Sequence, residues 1–180
     1  FRQTDTLAIV QNFALSGGDI LRPQFFQTSN PSVTEGYFFG EFPLYEYILY
    51  LLFQVTGESI VLARLVSIGM SVVSALCLFY IGGRFFDQRV GFAAAILFSV
   101  FPSSVFWGRA ISPDVFALMC FLISTALLCY RPRGRSFWFS SLFFSLTVLT
   151  KPFYFAFVLF HLAFFIYDSV HHAYESEEWR

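Results

Sequence analysis

An arginine and an aspartate one helical turn apart, Arg2 and Asp5, stand at the head of a short helical pattern near the start of the chain. A carboxylate there can accept or orient the proton of an attacking hydroxyl, and a cation beside it can orient that acid or touch a phosphate. Both residues also fit plainer duties, since Thr4 or Asp5 suits a helix cap and an interfacial arginine snorkels to headgroups. Arg109 and Lys151 stand at the edges of apolar runs, where fixed cations suit an interfacial phosphate or simply anchor the chain. Ser112-Pro113-Asp114 is a good helix opening as well as a second acid.

These residues need elements to hold them. Leu7, Val10 and Ala14, with Ile9 and Phe13 beside them, make a broad apolar stripe over residues 7–15, and Gly17-Gly18 ends it. The expectation is a short amphipathic helix on a polar shelf above a lipid-embedded body.

The body follows from composition. The 180 residues are 57% hydrophobic, with 27 Phe and only 13% charged, and the mean hydropathy is +0.64. A soluble domain of this size needs a more charged surface, so the chain reads as an all-α, polytopic membrane helix bundle. Cys77, Cys120 and Cys129 all lie inside apolar runs without metal-ligand spacing and behave as small hydrophobes. The chain opens on Phe in a polar loop, which reads as a piece of a longer protein with at least one span upstream.

Residues 1–58 are expected to form an outer loop with juxtamembrane helices and 59–180 the transmembrane part. Residues 19–41 are polar and punctuated by Pro and Gly, which predicts an irregular loop. Phe42 to Val55 is apolar over 14 residues, about 21 Å as a helix and short of a roughly 30 Å hydrocarbon core; it carries Glu46 and reads as interfacial or re-entrant. Ile60–Gly82, Val90–Trp107 with a kink at Pro102, and Val115–Tyr130 are the expected spans. Phe137–Thr150 and Phe153–Tyr167, divided by Lys151-Pro152, read as a hairpin of two short helices, because one continuous helix would overrun the bilayer.

Residues 83–89 and 131–135 hold five of the eleven basic residues and fall on one side if the spans alternate, which makes that side cytoplasmic. The other, outer face then collects the first 41 residues, Glu58, the loop 108–114 and Lys151. A transporter would place ionisable groups near the midplane, and the apolar runs carry few. His161, within such a run, reads as a packed residue, and His171-His172 with Glu175-Ser176-Glu177-Glu178 as a solvated connector. The aromatic excess lacks interleaved basic residues, which excludes a nucleic-acid platform. No Gly-rich phosphate loop appears.

Taken in order, Arg2-Gln3-Thr4-Asp5-Thr6 with Asn12-Phe13, Glu41-Phe42-Pro43-Leu44-Tyr45, Gly57 before Arg64-Leu65, Gly108-Arg109 with Pro113-Asp114, and Leu149-Thr150-Lys151-Pro152 resemble the landmarks of the bacterial protein-O-mannosyltransferase-like and aminoarabinose-transferase-like membrane glycosyltransferases. The resemblance implies the multi-span C-type fold of glycosyltransferase family 39-like enzymes. It also implies inverting transfer of a sugar from a polyprenyl-phosphate donor to an acceptor lipid, glycan or protein, at the extracytoplasmic face of the cell (inner) membrane. By the same resemblance Asp5 is the first-loop acid that deprotonates or holds the acceptor, and Asp114 is a second outer-loop acid. Arg2, Arg109 and Lys151 are then substrate-binding. Glu41 departs from the pattern, standing where several relatives carry a basic residue that meets the donor phosphate. No cofactor is implied, and a divalent-metal requirement is open on sequence alone. Two other classes fit the same chain: a transporter or flippase for a lipid-linked compound, and a non-catalytic membrane scaffold.

Overall fold

The computed structural model describes residues 2–23, 41–130, 134–161, 163 and 166, with the side chains of Arg2, Gln3 and Ser16 outside the description. Most of the expected irregular loop (24–40), Arg131 and Arg133 of the second basic loop, and the connector with His171-His172 lie outside the described residues.

All regular secondary structure among the described residues is helical. Two juxtamembrane helices, α1 (Arg2–Ser16) and α2 (Leu44–Thr56), precede α3 (Ile60–Phe85), α4 (Gln88–Val100), α5 (Pro102–Gly108), α6 (Pro113–Tyr130) and α7 (Arg135–Thr150), and a 3₁₀ turn over Pro152–Phe157 follows. α1 begins before Asp5, which therefore lies within the first helical turn and is not the cap. Gly17 and Gly18, at φ 79° and 80°, end it where only glycine turns this way without strain.

α3, at 26 residues, and α6, at 18, are long and apolar enough to cross a membrane. The expected span over Val90–Trp107 is not one kinked rod. α4 stops at Val100 and α5 leaves from Pro102 at 65°, because proline withholds the amide that would continue the ladder. The hairpin at Lys151-Pro152 is present: α7 ends at Thr150, and after the 3₁₀ turn the chain runs back far enough for His161 to meet Ser124 in the middle of α6.

Neighbouring spans pack closely because small residues face inward. Ala63, Ser67 and Ser74 are the buried positions of α3, while Val61, Leu65, Ile68 and Val72 are exposed. At the tight α3–α4 turn a Cβ on Gly82 would lie 2.7 Å from Gly91 Cα, so neither glycine has room for a side chain. Asp87 caps α4 there, its Oδ1 accepting from the Val90 amide at 2.7 Å.

One apolar core lies at the end of the bundle where α3 and α6 begin and α7 finishes. Ile9, Val10 and Phe13 of α1 dock onto Tyr45, Leu49 and Tyr50 of α2, which rest in turn on Ala63, Ile111, Phe116 and Cys120. Burying Phe13 and Leu49 completely stabilises this docking by about 1.5–3 kcal/mol each relative to leaving them in water. The Tyr45 hydroxyl, 2.8 Å from Ser67 Oγ, ties α2 to α3. The core thus fixes both juxtamembrane helices over one end of the spans.

Candidate active site

Three elements bring charges together at that end. α7 cannot continue past Lys151 because Pro152 follows, and the lysine sits beyond the helix C-terminus, the end that favours a cation. α6 opens at Pro113, where the Asp114 amide donates to Ser112 Oγ (3.3 Å) and Ser112 Oγ donates to Asp114 Oδ2 (2.6 Å). Glu41 precedes α2. Lys151 Nζ donates to Asp114 Oδ1 at 2.9 Å and to Glu41 Oε1, joining positions 110 residues apart.

Lys151 is only 3% exposed. Two of its three donors are already met by carboxylates and almost none of its surface is open, which leaves an incoming phosphate little access. Its geometry is that of an organiser of acids more than of an open phosphate clamp. Glu41, the acid where a basic residue was expected to meet phosphate, is what Lys151 holds.

A third acid belongs to the group. Glu46 is 4% exposed, and its Oε2 has no hydrogen-bond partner among the described residues. Burial raises its pKa to about 7; Glu41 and Asp114 push the same way, while its own backbone amide and Lys151 pull it down. Among the described residues the cluster therefore brings three carboxyl groups to one ammonium, with Glu46 able to carry a proton near neutrality. Sequence reasoning left Glu46 as a mark on an apolar run. Its signal was register: Leu49 and Tyr50, three and four residues on, are buried with it on the inward stripe of α2.

Asp114 also forms part of the wall of a cavity of about 430 Å³ bounded by α3, α4, α5, α6 and Tyr154. A second cavity of about 350 Å³ adjoins it, sharing Ser71, Phe98, Ser104 and Gly108, and reaches Arg109. Arg109 is exposed just past α5, with its Nε donating to Val105 O at 3.3 Å.

Of the six residues singled out in the sequence, the structure thus joins Glu41, Asp114 and Lys151 in one network and puts Arg109 on the neighbouring cavity. Asp5 lies exposed on α1, and among the described residues no hydrogen bond or ion pair joins it to that network; the side chain of Arg2 is outside the description. Among the described residues no group of three or more His, Cys, Asp and Glu is arranged to hold a metal ion. His161 packs between Phe121 and Phe144, as expected of a packed residue within an apolar run.

The family model described as dolichyl-phosphate-mannose-protein mannosyltransferase matches residues 41–177. No curated protein and no solved structure matches the chain. The matched segment contains the whole charged network and both cavities.

Proposed function

Because the chain belongs to the dolichyl-phosphate-mannose-protein mannosyltransferase family, and so to the membrane glycosyltransferases, we propose that it carries part of the catalytic centre of an enzyme that moves a sugar from a polyprenyl-phosphate donor to an acceptor on the extracytoplasmic side of the membrane. The observation that carries this reading is the Glu41–Lys151–Asp114 network with buried Glu46, at the end of the bundle opposite the basic loop 83–89 and joined through Asp114 to the wall of a cavity. That loop supports the proposed side, because short basic loops tend to remain in the cytoplasm.

In the reaction the acceptor hydroxyl oxygen bonds to the anomeric carbon as the bond from that carbon to the phosphate oxygen breaks. The proton passes to a carboxylate and polyprenyl phosphate departs, with inversion at carbon. Asp114 is tied by Lys151 and Ser112, Glu41 by Lys151, and Glu46 is shut from solvent. Each is a poorer choice of base than an exposed, uncommitted carboxylate. Asp5, exposed on α1, is the carboxylate this reading assigns as base, with Asp114 as the fixed acid of the pocket and Arg109 as the phosphate's cation. Arg2, a turn before Asp5, is assigned to orient it.

The test is transfer by the full-length enzyme in membranes from a polyprenyl-phosphate sugar. Asp5→Asn keeps the side chain's size but cannot take the proton, so turnover should fall by about 10²- to 10⁴-fold with donor binding retained. Near-normal turnover in Asp5→Asn would remove this residue from the mechanism and leave Asp114 as the next candidate.

A further inference from the structure

The 430 Å³ cavity exists because a span is broken. α4 has 13 residues, about 20 Å of helix, so it stops short of the roughly 30 Å hydrocarbon core, and α5 turns aside by 65° where further turns of α4 would have filled the space. The gap lies well inside the bundle: Ser71, on its wall, is 11 residues into α3 from Ile60, about 17 Å along the helix.

What lines the gap is unusual for that depth. Ser71 and Ser74 of α3, Ser103 and Ser104 of α5, and Asp114 of α6 bring four hydroxyls and a carboxylate to one space, with Trp107 presenting an aromatic surface. Ser74 Oγ donates to Met70 O at 2.9 Å, and Ser71 Oγ has Ser67 O at 3.1 Å and Gly108 O at 3.4 Å. Their protons are thus spent within the protein, and their oxygens remain as acceptors. Asp114 as a carboxylate is acceptor only. Two committed serine oxygens and a carboxylate, with Ser103 and Ser104 as further hydroxyls, suit a neutral ligand whose several O–H groups both donate and accept. Arg109 lies on the adjoining cavity, so an anion would sit outside this one.

We propose that the cavity left by the α4–α5 break is a sugar-ring subsite, in which Ser71 and Ser104 read ring hydroxyls and Asp114 accepts a further one, while the attached phosphate stays on the Arg109 side. This rests on the reading of the chain as a lipid-dependent glycosyltransferase and names the residues that discriminate its sugar. The ring can belong to the lipid-borne donor or to a glycan acceptor, and the two are separable.

Binding by the full-length protein in nanodiscs, measured apart from turnover, tests it with three probes: a hexosyl-phosphate polyprenol, bare polyprenyl phosphate, and a methyl hexoside. The wild type should prefer the sugar-bearing lipid to the bare one by about tenfold, and Ser71→Ala and Ser104→Ala should each cut that preference by about two- to tenfold, with bare-lipid affinity kept. Ser104→Leu, which fills the gap, should abolish it. Ser145→Ala, on an exposed position of α7, should change nothing. If the serine variants instead lose only the methyl hexoside, the ring is the acceptor's and the subsite stands. Unchanged binding of the sugar-bearing lipid and of the hexoside in all three cavity variants overturns the proposal, leaving an ordinary lipid chain as occupant. A protein that shows the sugar preference yet transfers nothing overturns the enzyme reading alone.

Discussion

Two polar clusters are buried in this bundle, and they are built on opposite terms. Midway along α6, Ser124 Oγ lies 3.0 Å from Ser140 Oγ and 3.2 Å from His161 Nε2, and Ser140 Oγ donates to Ser124 O at 2.9 Å. Every group there is neutral or able to be, each meets a partner, and phenylalanines close around the imidazole. At the end of the bundle, Glu41, Glu46, Asp114 and Lys151 leave charges out of balance, one carboxylate oxygen without a partner among the described residues, and a cavity alongside. The first cluster fastens three helical segments. The second holds strained electrostatics that a packing role does not require, and such arrangements gather at functional sites.

The largest effect should come from removing Lys151, the one cation that the described residues bring to the second cluster. Lys151→Met leaves Glu41 and Asp114 facing each other with Glu46 close by, and breaking a buried pair from one side typically costs about 3–5 kcal/mol. Thermal unfolding in detergent should drop steeply for Lys151→Met, and restoring neutrality with Asp114→Asn in the same chain should recover part of the loss. A Lys151→Met protein as stable as wild type would mean the network contributes no net electrostatic stability.

Next in size is a pH effect at Glu46. Its folded pKa, about 7, lies above the ordinary value of 4.5, so the native state holds the proton more tightly than the unfolded chain does. Stability from this group is complete below about pH 4.5, declines as pH rises, and is fully lost above about 7. The charged groups facing it are Glu41, Asp114 and Lys151. Glu46→Gln should therefore stabilise the protein by roughly 2–3 kcal/mol at pH 8 and by little at pH 4.5. Equal gains at both pH values would show that Glu46 is ionised throughout.

How much of this the sequence carries differs between the two clusters for a physical reason. Helix existence, the break at Pro102 in the second expected span and the Lys151-Pro152 hairpin follow from local rules: apolar length, proline, glycine and caps. The facing of the helices does not, because lipid and protein interior are both apolar, so α3 hides Ala63, Ser67 and Ser74 while its larger residues look outward. Asp114 and Lys151 were visible as ionisable residues at helix ends, yet their pairing with Glu41 is a contact across 110 residues that no local pattern encodes. Glu46 was in principle legible from the register of α2. The 65° turn was not, since Pro102 announces a kink without its angle, and the cavity depends on that angle.

The smallest effect should come from the first cluster, and its smallness is what separates the two. Ser124→Ala removes an oxygen that is wholly buried and shared among Ser140 Oγ, Ser140 O and His161 Nε2. Ser140 Oγ keeps its bond to Ser124 O, since that acceptor is backbone, and His161 keeps Phe157 O at 3.3 Å from Nδ1. Hydrogen bonds between membrane helices are worth about 0.6 kcal/mol on average and less than about 2 at most, because the separated helices find other partners. Ser124→Ala should thus cost about 1 kcal/mol of stability and leave both transfer and the pH dependence of stability as in wild type. If it alters turnover while unfolding at the wild-type temperature, the mid-helix cluster is coupled to the reaction, and the division between a fastening cluster and a chemical one fails.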